Sequence, residues 1–408
     1  MLAGESAERR AIARALESCF ESAGYGLVET PVLEASRTLE AGAGSSLEGR
    51  ALFVQDTDGS LLALRPEMTV PIARLVAARL GDVPGPKRLG YVADVFREQA
   101  SLRGQARQFT QAGVELVGVA GPAADAEVVT VLVAALEASG LDDFTVAVGT
   151  VAVLRALLEA TGATETWRRD VLTAAHRRDL VEFSRLVSEA GLDPALERAL
   201  LEVPRVRGGS EALDRCRALV EPCGCGAAVD DLADTVALLD AAGVSDRVLV
   251  DFGVMRDFDY YTGLVLEAYA PGLGVPLGGG GRYDGVLATF DAPAPAAGFA
   301  LGIERLHIAL ADQGRLPVVR GVDAVVGGPA GGDVFSACAR LRAAGWRVVP
   351  AIDAARADLP RIALEAGAMS ALWAQGSSLG VLSPDGALDG ALNPADLPEP
   401  PTSERTRS

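Results

Sequence analysis

Two strand-like segments, residues 87–98 and 107–118, place the strongest constraint on how this chain folds. They read KRLGYVADVFRE and RQFTQAGVELVG, and only a loop around Gly104 joins them, so we expect an antiparallel pair. Gln111 and Glu115 lie four residues apart on the second segment, and their side chains therefore point to one face of the sheet. Two polar groups aimed inward from one face predict the floor of a polar pocket.

The segments around this pair predict antiparallel strands with helices packed on them, which is an α+β fold. A strand is expected up to Pro31, and ALFVQDTDGSLLALR predicts a hairpin with Asp58 and Gly59 in its turn. Hydrophobic periodicity predicts the remaining elements. The predicted helices cover 7–24, 69–80, 122–139 and a segment beginning near Gly302, and the further strands are DFTVAVG, RVLVDFG, TGLVLEAY and PLGGGGRYD.

The chain changes character twice along its length. Residues 151–245 alternate Leu, Ala, Arg and Glu without a convincing strand, which predicts a helical insertion within a core domain of residues 1–320. From 323–393, the segments DAVVGG, VFSACARLRAAG and WRVVPAI predict a small α/β domain, with Gly345 ending its helix. The Pro-rich, polar residues 394–408 predict a disordered tail.

Composition argues against several classes of protein. The net charge of −18 disfavours a nucleic-acid partner, because phosphate binding needs clustered cations and Lys87 is the only lysine. We expect a cytoplasmic protein, since no apolar run approaches the roughly 18 residues of a membrane span and no export signal is evident. The five cysteines suit a reducing compartment. Cys223 and Cys225 could form a metal pair, but a loop near a helix end is favoured, so no metal site is predicted.

Several short segments carry groups that could bind a small molecule. Glu67 in LRPEMT follows a strand and could accept an ammonium group. MRDFDYYTG supplies Arg256, Tyr260 and Tyr261, and GFALGIERL places Arg305 at the start of a helix. The glycines of GGGGRYDG would let the backbone approach a ligand or another strand. Each feature also has a simpler interpretation. Gln111 and Glu115 could form a solvated strand face, the two tyrosines could be neighbours of which one is in the core and one on the surface, and the glycine run could be a hairpin bend.

Taken in order, these segments resemble the class II aminoacyl-tRNA synthetases, and specifically the histidyl-tRNA synthetase branch. GYGLVETPVLE resembles motif 1, whose proline, Pro31 here, implies a homodimer interface. Residues 97–115 resemble motif 2, and GFALGIERL resembles motif 3. RDFDYYTG and GGGGRYDG resemble two segments peculiar to the histidine-specific branch. The resemblance covers about residues 5–310 and implies a class II synthetase-like antiparallel sheet core.

The resemblance divides the implied site into two halves. The nucleotide half is eroded, because Gln99 replaces a glutamate that helps to hold adenine and Gln105 replaces an arginine that meets the ATP phosphates. Arg305 remains from that half, and neither a cofactor nor a catalytic residue is predicted. The amino-acid half is intact, and the resemblance implies histidine binding by Glu67, Thr69, Arg97, Gln111, Glu115, Arg256, Tyr260 and Tyr261.

A site that keeps histidine and loses ATP resembles that of the synthetase-like regulatory subunits of ATP phosphoribosyltransferase. This resemblance implies a non-catalytic chain that forms homodimers within a hetero-oligomer and joins a short-form catalytic subunit in the first step of histidine biosynthesis. It also implies that the chain makes the enzyme respond to histidine. Residues 323–408 hold seven Arg, no Lys and ten Asp or Glu, so no tRNA partner is expected.

Three alternatives stay open at this point. The chain could be an active histidyl-tRNA synthetase, or a stand-alone enzyme that adenylates an amino acid. Within the regulatory interpretation, feedback histidine could bind in the synthetase-like pocket or at the contact between the two kinds of subunit.

Overall fold

The computed structural model describes residues 2–43, 51–98, 106–254 and 260–392, and it divides the chain into two compact units, Met1–Pro317 and Val318–Ser408. The predicted tail, 394–408, lies outside the described residues. Among the described residues, no helix is long and apolar enough to cross a lipid bilayer. The helices of the first unit are α1 (Ala3–Ser22), α2 (Ser36–Ala43), α3 (Thr69–Arg79), α4 (Pro122–Ala138), α5 (Val151–Ala160), α6 (Glu165–His176), α7 (Leu180–Ser188), α8 (Pro194–Glu202), α9 (Glu211–Val220), α10 (Asp230–Ala241) and α11 (Ile303–Asp312).

The strands of the first unit form one large sheet and one small one. They are β1 (Gly26–Leu27), β2 (Leu33–Ala35), β3 (Leu52–Gln55), β4 (Leu61–Leu64), β5 (Lys87–Phe96), β6 (Gln108–Val117), β7 (Thr145–Thr150), β8 (Arg207–Gly208), β9 (Val248–Asp251), β10 (Leu264–Tyr269), β11 (Gly278–Arg282) and β12 (Ala296–Gly302). The large sheet has the order β1-β5-β6-β12-β11-β10-β7-β9-β8, and the small sheet has the order β2-β4-β3. Only the pairs β1–β5 and β7–β9 of the large sheet are parallel.

The pair β5–β6 is the predicted antiparallel pair, with Lys87 opposite Val117 and Phe96 opposite Gln108. Alternation along β6 gives the sheet two different faces. Ala112, Val114 and Leu116 join the main hydrophobic core, whereas the residues between them point to the opposite face.

Helices cover one face of the large sheet. The side chains of Ile12, Leu16 and Phe20 from α1 pack there together with apolar residues of α4 and α11. The other face is covered by α3 and by parts of the small sheet, which form a second core that includes Met68 and Ile72. The antiparallel-rich sheet with helices confirms the predicted α+β class.

The chain between β7 and β9 is almost entirely helical, running from α5 to α10. The expectation that this segment holds no strand is wrong in one detail. The two-residue strand β8 pairs antiparallel with β9 at the edge of the large sheet. Two residues are too few for a period of two to be visible in the sequence.

The outcomes for the predicted turn and strands of the first unit are mixed. The turn at Asp58 and Gly59 is confirmed, since Gly59 has φ +86° and the Asp58 carboxylate accepts from the Ser60 amide at 2.8 Å. The single strand expected up to Pro31 is instead the two short strands β1 and β2, with Pro31 in neither. Strand β12, Ala296–Gly302, was not predicted, although a helix does begin directly after Gly302.

The second unit is a small α/β fold, as the sequence predicts. Its strands β13 (Ala324–Gly327), β14 (Val348–Pro350) and β15 (Ser370–Gln375) are parallel, and β16 (Ser378–Leu382) and β17 (Leu388–Leu392) continue the sheet antiparallel. Helix α12 (Gly331–Ala343) packs on one face and α13 (Leu359–Glu365) on the other. Gly345 follows α12 with φ +86°, which is the left-handed conformation expected at a helix end.

Candidate functional site

The floor of the candidate site is the face of β6 that carries Gln111 and Glu115. Both side chains are buried, at 8% and 1% exposure, so the alternative of a solvated strand face is wrong. Gly298 on β12 lies opposite Glu115, and a Cβ there would overlap the Glu115 carboxylate. Gly113 lies opposite Tyr91 of β5 and gives its ring the same kind of room. Glycine is therefore needed on two neighbouring strands to accommodate these polar side chains.

Glu67 lies at the edge of this floor, just before α3. Its two carboxylate oxygens accept hydrogen bonds from the backbone amides of Thr69 at 2.7 Å and Val70 at 2.8 Å. These amides belong to the first turn of a helix and have no partner within it. Burial raises the pKa of Glu67, whereas these hydrogen bonds and the charge of Arg97 lower it. Glu67 thus fixes the start of α3 over the sheet.

Glu115 is held by hydroxyl groups. The Thr69 hydroxyl donates to its Oε1 at 2.9 Å, and the Tyr283 hydroxyl donates to its Oε2. The pKa of Glu115 is raised to about 8, because burial and, to a lesser extent, the nearby Glu67 raise it by more than the two hydrogen bonds lower it. No arginine or lysine in the described part of the chain pairs with Glu115. Within the part of the chain that the structure describes, the site therefore contains a buried carboxyl group without a cationic partner.

A small cavity of about 30 Å³ lies above this floor. That volume holds one or two water molecules and is much less than an amino acid requires. Two buried polar atoms, Gln111 Oε1 and the Tyr91 hydroxyl, have no hydrogen-bond partner in the described structure. Both residues line the cavity, and Glu115 lies behind the lining. Of the predicted site residues, those on the cavity wall are Glu67, Thr69, Arg97, Gln111, Tyr260 and Tyr261.

Arg97 and the two tyrosines form the sides of the cavity. The Arg97 guanidinium donates to the Pro66 carbonyl oxygen at 2.7 Å and lies 5.2 Å from the Phe109 ring centroid. The rings of Tyr260 and Tyr261 are 4.9 Å apart, and Tyr260 also packs edge-on against Tyr283 at 5.9 Å. An arginine and a cluster of aromatic rings are suited to a ligand that carries both a carboxylate and a ring.

The predicted nucleotide half is described only in part. Gln99, Gln105 and Arg256 lie outside the described residues. Arg305, in the first turn of α11, donates to the Pro276 carbonyl oxygen at 2.7 Å and is absent from the wall of the cavity.

Cys223 and Cys225 lie where the sequence analysis favoured, in a turn after α9, and both are free thiols. In the described ranges, no group of three or more His, Cys, Asp or Glu side chains could hold a metal ion.

Two tyrosines of this site were missed by the sequence analysis. Tyr283 donates to Glu115, and Tyr91 carries one of the two unpartnered polar atoms. Tyr283 stands in the quoted segment GGGGRYDG, so a search for polar side chains beside the glycines would have found it. Tyr91 could have been found from the same two-residue alternation that selected Gln111 and Glu115.

Comparison with known proteins agrees with this architecture. The histidyl-tRNA synthetase family model matches residues 1–306. The chain is 43% identical to an ATP phosphoribosyltransferase regulatory subunit of Moorella thermoacetica, over 76% of this chain and 79% of that protein. It is 39% identical to the protein of that name in Symbiobacterium thermophilum, over 85% and 88% of the two chains.

Solved structures give the same result. A structure described as an ATP phosphoribosyltransferase regulatory subunit/histidyl-tRNA synthetase from Bacillus halodurans superimposes with a TM-score of 0.78 and 30% identity, over 90% of this chain and 94% of that one. Histidyl-tRNA synthetase from Nostoc, at 21% identity and a TM-score of 0.77 over 95% and 93% of the chains, shares the fold. The fold and site thus define a class II synthetase-like protein. More particularly, the chain belongs to the family of ATP phosphoribosyltransferase regulatory subunits.

Proposed function

We propose that this chain is the histidine-sensing subunit of ATP phosphoribosyltransferase and that the cavity over β6 is its sensor. The observation that carries the proposal is the buried polar floor. Among the described residues, Glu115 has no cationic partner there, and Gln111 Oε1 and the Tyr91 hydroxyl have no hydrogen-bond partner. Buried polar groups without partners cost free energy, and a ligand that pairs with them recovers it. Histidine supplies an ammonium group, a carboxylate and imidazole nitrogens for such pairing.

Each group of histidine has a suitable partner around the cavity. The Glu67 carboxylate accepts two backbone amides and still has lone pairs for the α-ammonium group. Gln111 and Glu115 are positioned for the imidazole ring, and the tyrosine pair 260–261 for its faces. Arg97, together with Arg256 from outside the described residues, would meet the carboxylate.

The small size of the cavity supports a regulatory role for such binding. Because about 30 Å³ cannot hold an amino acid, the lining side chains must move apart before histidine enters. A ligand shifts a conformational equilibrium only when it binds one state better than another. Histidine would thus favour an open state, and the catalytic subunit would respond to the difference between the states.

The proposed function also implies a catalytic subunit and a second copy of this chain as partners. A short-form ATP phosphoribosyltransferase catalytic subunit is the expected partner in the cytoplasm, and no tRNA is expected. A homodimer about motif 1 is supported by exposed apolar side chains beside Pro31, namely Leu27, Val32 and Leu33, at 42%, 41% and 42% exposure. Such side chains are suited to the centre of a two-fold interface.

Isothermal titration with histidine tests the sensor directly. The wild-type chain should bind histidine without ATP, and Glu115→Ala and Gln111→Ala should each weaken binding about tenfold or more, because each removes a buried polar partner. Glu267→Ala is the matched control, since Glu267 is also a buried carboxylate on this sheet but is paired with Arg178 at 2.7 Å and lies on β10, away from the cavity floor on β6. Absence of histidine binding, with and without the catalytic subunit, would contradict the proposal.

A second assay distinguishes this regulatory function from that of an active histidyl-tRNA synthetase. With Gln99 and Gln105 in the nucleotide half, ATP–pyrophosphate exchange dependent on histidine should stay at background. Exchange at about 1 s⁻¹ or faster would favour an active synthetase.

A further inference from the structure

Strand β11 has almost no side chains of its own with which to hold its place in the large sheet. Its first four residues are glycines, and a Cβ at Gly278 or Gly280 would lie 2.1 Å or 1.9 Å from a carbonyl oxygen of β12. Glycine in the interior of a strand leaves no side chain to pack and weakens the strand. Arg282, the last residue of β11, is therefore the first whose side chain can anchor it.

The Arg282 side chain is buried in a polar cluster that uses all three of its nitrogens. Its Nε and Nη2 donate to Asp125 Oδ1 in α4 at 3.0 Å and 2.7 Å, and Nη2 also donates to the Gly121 carbonyl oxygen at 3.1 Å. Its Nη1 donates to Asp284 Oδ1 at 3.0 Å and to the Val119 carbonyl oxygen at 3.4 Å. The planar guanidinium group can serve all these acceptors together, whereas the single ammonium group of lysine cannot.

This cluster lies on the opposite face of the sheet from the proposed histidine site. Asp125 belongs to α4, whose apolar residues pack in the main core. Tyr283, the residue directly after Arg282, points the other way, packs in the second core and donates its hydroxyl to Glu115. Neighbouring residues of one chain thus connect the two faces.

The backbone that carries Tyr283 is fixed by the same cluster. The Tyr283 amide donates to the Ala296 carbonyl oxygen at 2.8 Å. The Ala296 amide donates in turn to Asp284 Oδ1 at 2.9 Å, the same oxygen that accepts from Arg282. Tyr283 is therefore held between two residues whose side chains are bonded to each other, so a shift of Arg282 would displace the Tyr283 ring.

Stability alone is a weak explanation for the buried pair of Arg282 and Asp125. Taking two charges out of water costs free energy that their attraction repays only in part, and apolar side chains often replace such pairs without loss of stability. What the pair does supply is a fixed geometry for the groups bonded to it. A binding site needs that from the residues behind it, because its own side chains must be held in place.

We propose that the Arg282–Asp125 pair is a positioning device for the histidine site, which holds the Tyr283 hydroxyl against Glu115 from the opposite face of the sheet. Neither member of the pair is among the residues of the cavity wall, so both act on the site through Tyr283. The proposal rests on the proposed function for the identity of the ligand. The link from Arg282 through Tyr283 to Glu115 does not require histidine and is tested without it.

A double-mutant cycle on the full-length chain, followed by carbon-13 NMR of labelled glutamate carboxyl groups, tests this link. Arg282→Lys keeps the positive charge but loses most of the hydrogen bonds, so it should loosen Tyr283. The pKa of Glu115 should then rise, though by no more than in Tyr283→Phe, because the Tyr283 hydrogen bond lowers that pKa. In a chain that already carries Tyr283→Phe, Arg282→Lys should have no further effect, because the hydroxyl through which it acts is absent.

Calorimetric titration with histidine measures the consequence for the site. Arg282→Lys should raise the Kd for histidine about threefold. Asp284→Ala removes the acceptor that Arg282 and the Ala296 amide share, and it should change the Kd and the Glu115 pKa in the same direction. The Asp284 side chain is 39% exposed, so this second variant is suited to the same cycle if Arg282→Lys does not fold.

Arg178→Lys is the matched control, since Arg178 also pairs with a buried carboxylate of this sheet, Glu267. It should leave both the Glu115 pKa and the histidine Kd unchanged. An unchanged Glu115 pKa or histidine Kd in an Arg282→Lys chain that melts at a lower temperature would leave the cluster only a structural role and overturn the proposal. An effect of Arg282→Lys that persists in full beside Tyr283→Phe would also overturn it. Absence of histidine binding by the wild type would contradict the proposed function instead, and the cycle would still decide whether Arg282 positions Tyr283.

Discussion

Two buried carboxylates on the same face of the large sheet are held in different ways. Glu115 on β6 accepts the Tyr283 hydroxyl, and Glu267 on β10 accepts the Tyr269 hydroxyl. Glu267 also pairs with Arg178 at 2.7 Å, whereas the donors to Glu115 among the described residues are both hydroxyl groups. Their exposures are similar, at 1% and 5%, so burial alone does not distinguish them.

The difference supports a structural role for Glu267 and, under the proposed function, a ligand-binding role for Glu115. Arg178 lies in the turn between α6 and α7, so its pair with Glu267 ties the helical segment to the sheet. A buried carboxyl without a cation keeps its proton to an unusually high pH, as the pKa of about 8 for Glu115 indicates. Such a group gains most when a cationic ligand arrives. Three substitutions test this contrast between Glu115 and Glu267.

The largest effect on folding stability is expected for Glu115→Gln, and it should grow as the pH rises. The folded-state pKa of Glu115, about 8, lies above the roughly 4.3 of an unfolded glutamate. Between these values the native state holds a proton that the unfolded state has lost, so this group makes the wild type less stable as the pH rises. The slope approaches about 1.4 kcal/mol per pH unit.

Melting temperatures at pH 5.5, 6.5 and 7.5 check this prediction. Glu115→Gln should gain stability relative to the wild type with each step in pH. A constant difference between Glu115→Gln and the wild type would show that Glu115 is ionised throughout, and the contrast would fail.

A smaller effect on stability is expected when Arg178, the cationic partner of Glu267, is replaced. Arg178→Gln should destabilise the protein by about 1 kcal/mol, because a buried charge loses its partner while the half-exposed arginine limits the cost. The neighbouring Arg177→Gln should change stability by less than about 0.5 kcal/mol. Chemical denaturation of both variants gives the comparison, and equal effects would remove Arg178 from its structural role.

The smallest effect is expected for Tyr283→Phe. The Tyr283 hydroxyl lowers the pKa of Glu115, so its loss should raise that pKa further, by roughly one unit or less. Carbon-13 NMR of labelled glutamate carboxyl groups would follow the titration. Tyr269→Phe serves as the control, and a pKa of Glu115 that falls in Tyr283→Phe would contradict the hydrogen-bond assignment.

The sequence predicts the strands β5 and β6 and the common face of Gln111 and Glu115. It does not predict contacts that depend on the order of the strands in the sheet. The long strands β5 and β6 are evident from their length and alternation, and the same alternation places Gln111 with Glu115. Strand β12 was missed because AAGFALG consists mostly of small residues and carries no clear period of two. Tyr283 could not be assigned to Glu115, since the two are 168 residues apart and meet only through the order of the strands.

The partner of Glu267 also cannot be predicted from the sequence. Nothing near Glu267 in the sequence indicates Arg178, which is 89 residues away in a helical segment. Burial and pairing of a charged residue are properties of the assembled fold, so sequence alone cannot separate a structural carboxylate from one in a binding site.

Histidine inhibition of the reconstituted enzyme would show whether the cavity over β6 is the histidine sensor. The complex of this chain with a short-form catalytic subunit would be assayed with wild-type, Glu115→Ala and Glu267→Ala chains, after light scattering has shown that each complex is assembled. We expect Glu115→Ala to keep the enzyme active and to raise the histidine midpoint about tenfold or more, because differential affinity for histidine sets that midpoint. Glu267→Ala should leave the midpoint unchanged. An unchanged midpoint for Glu115→Ala in an intact complex would contradict the account and place the sensor outside this pocket.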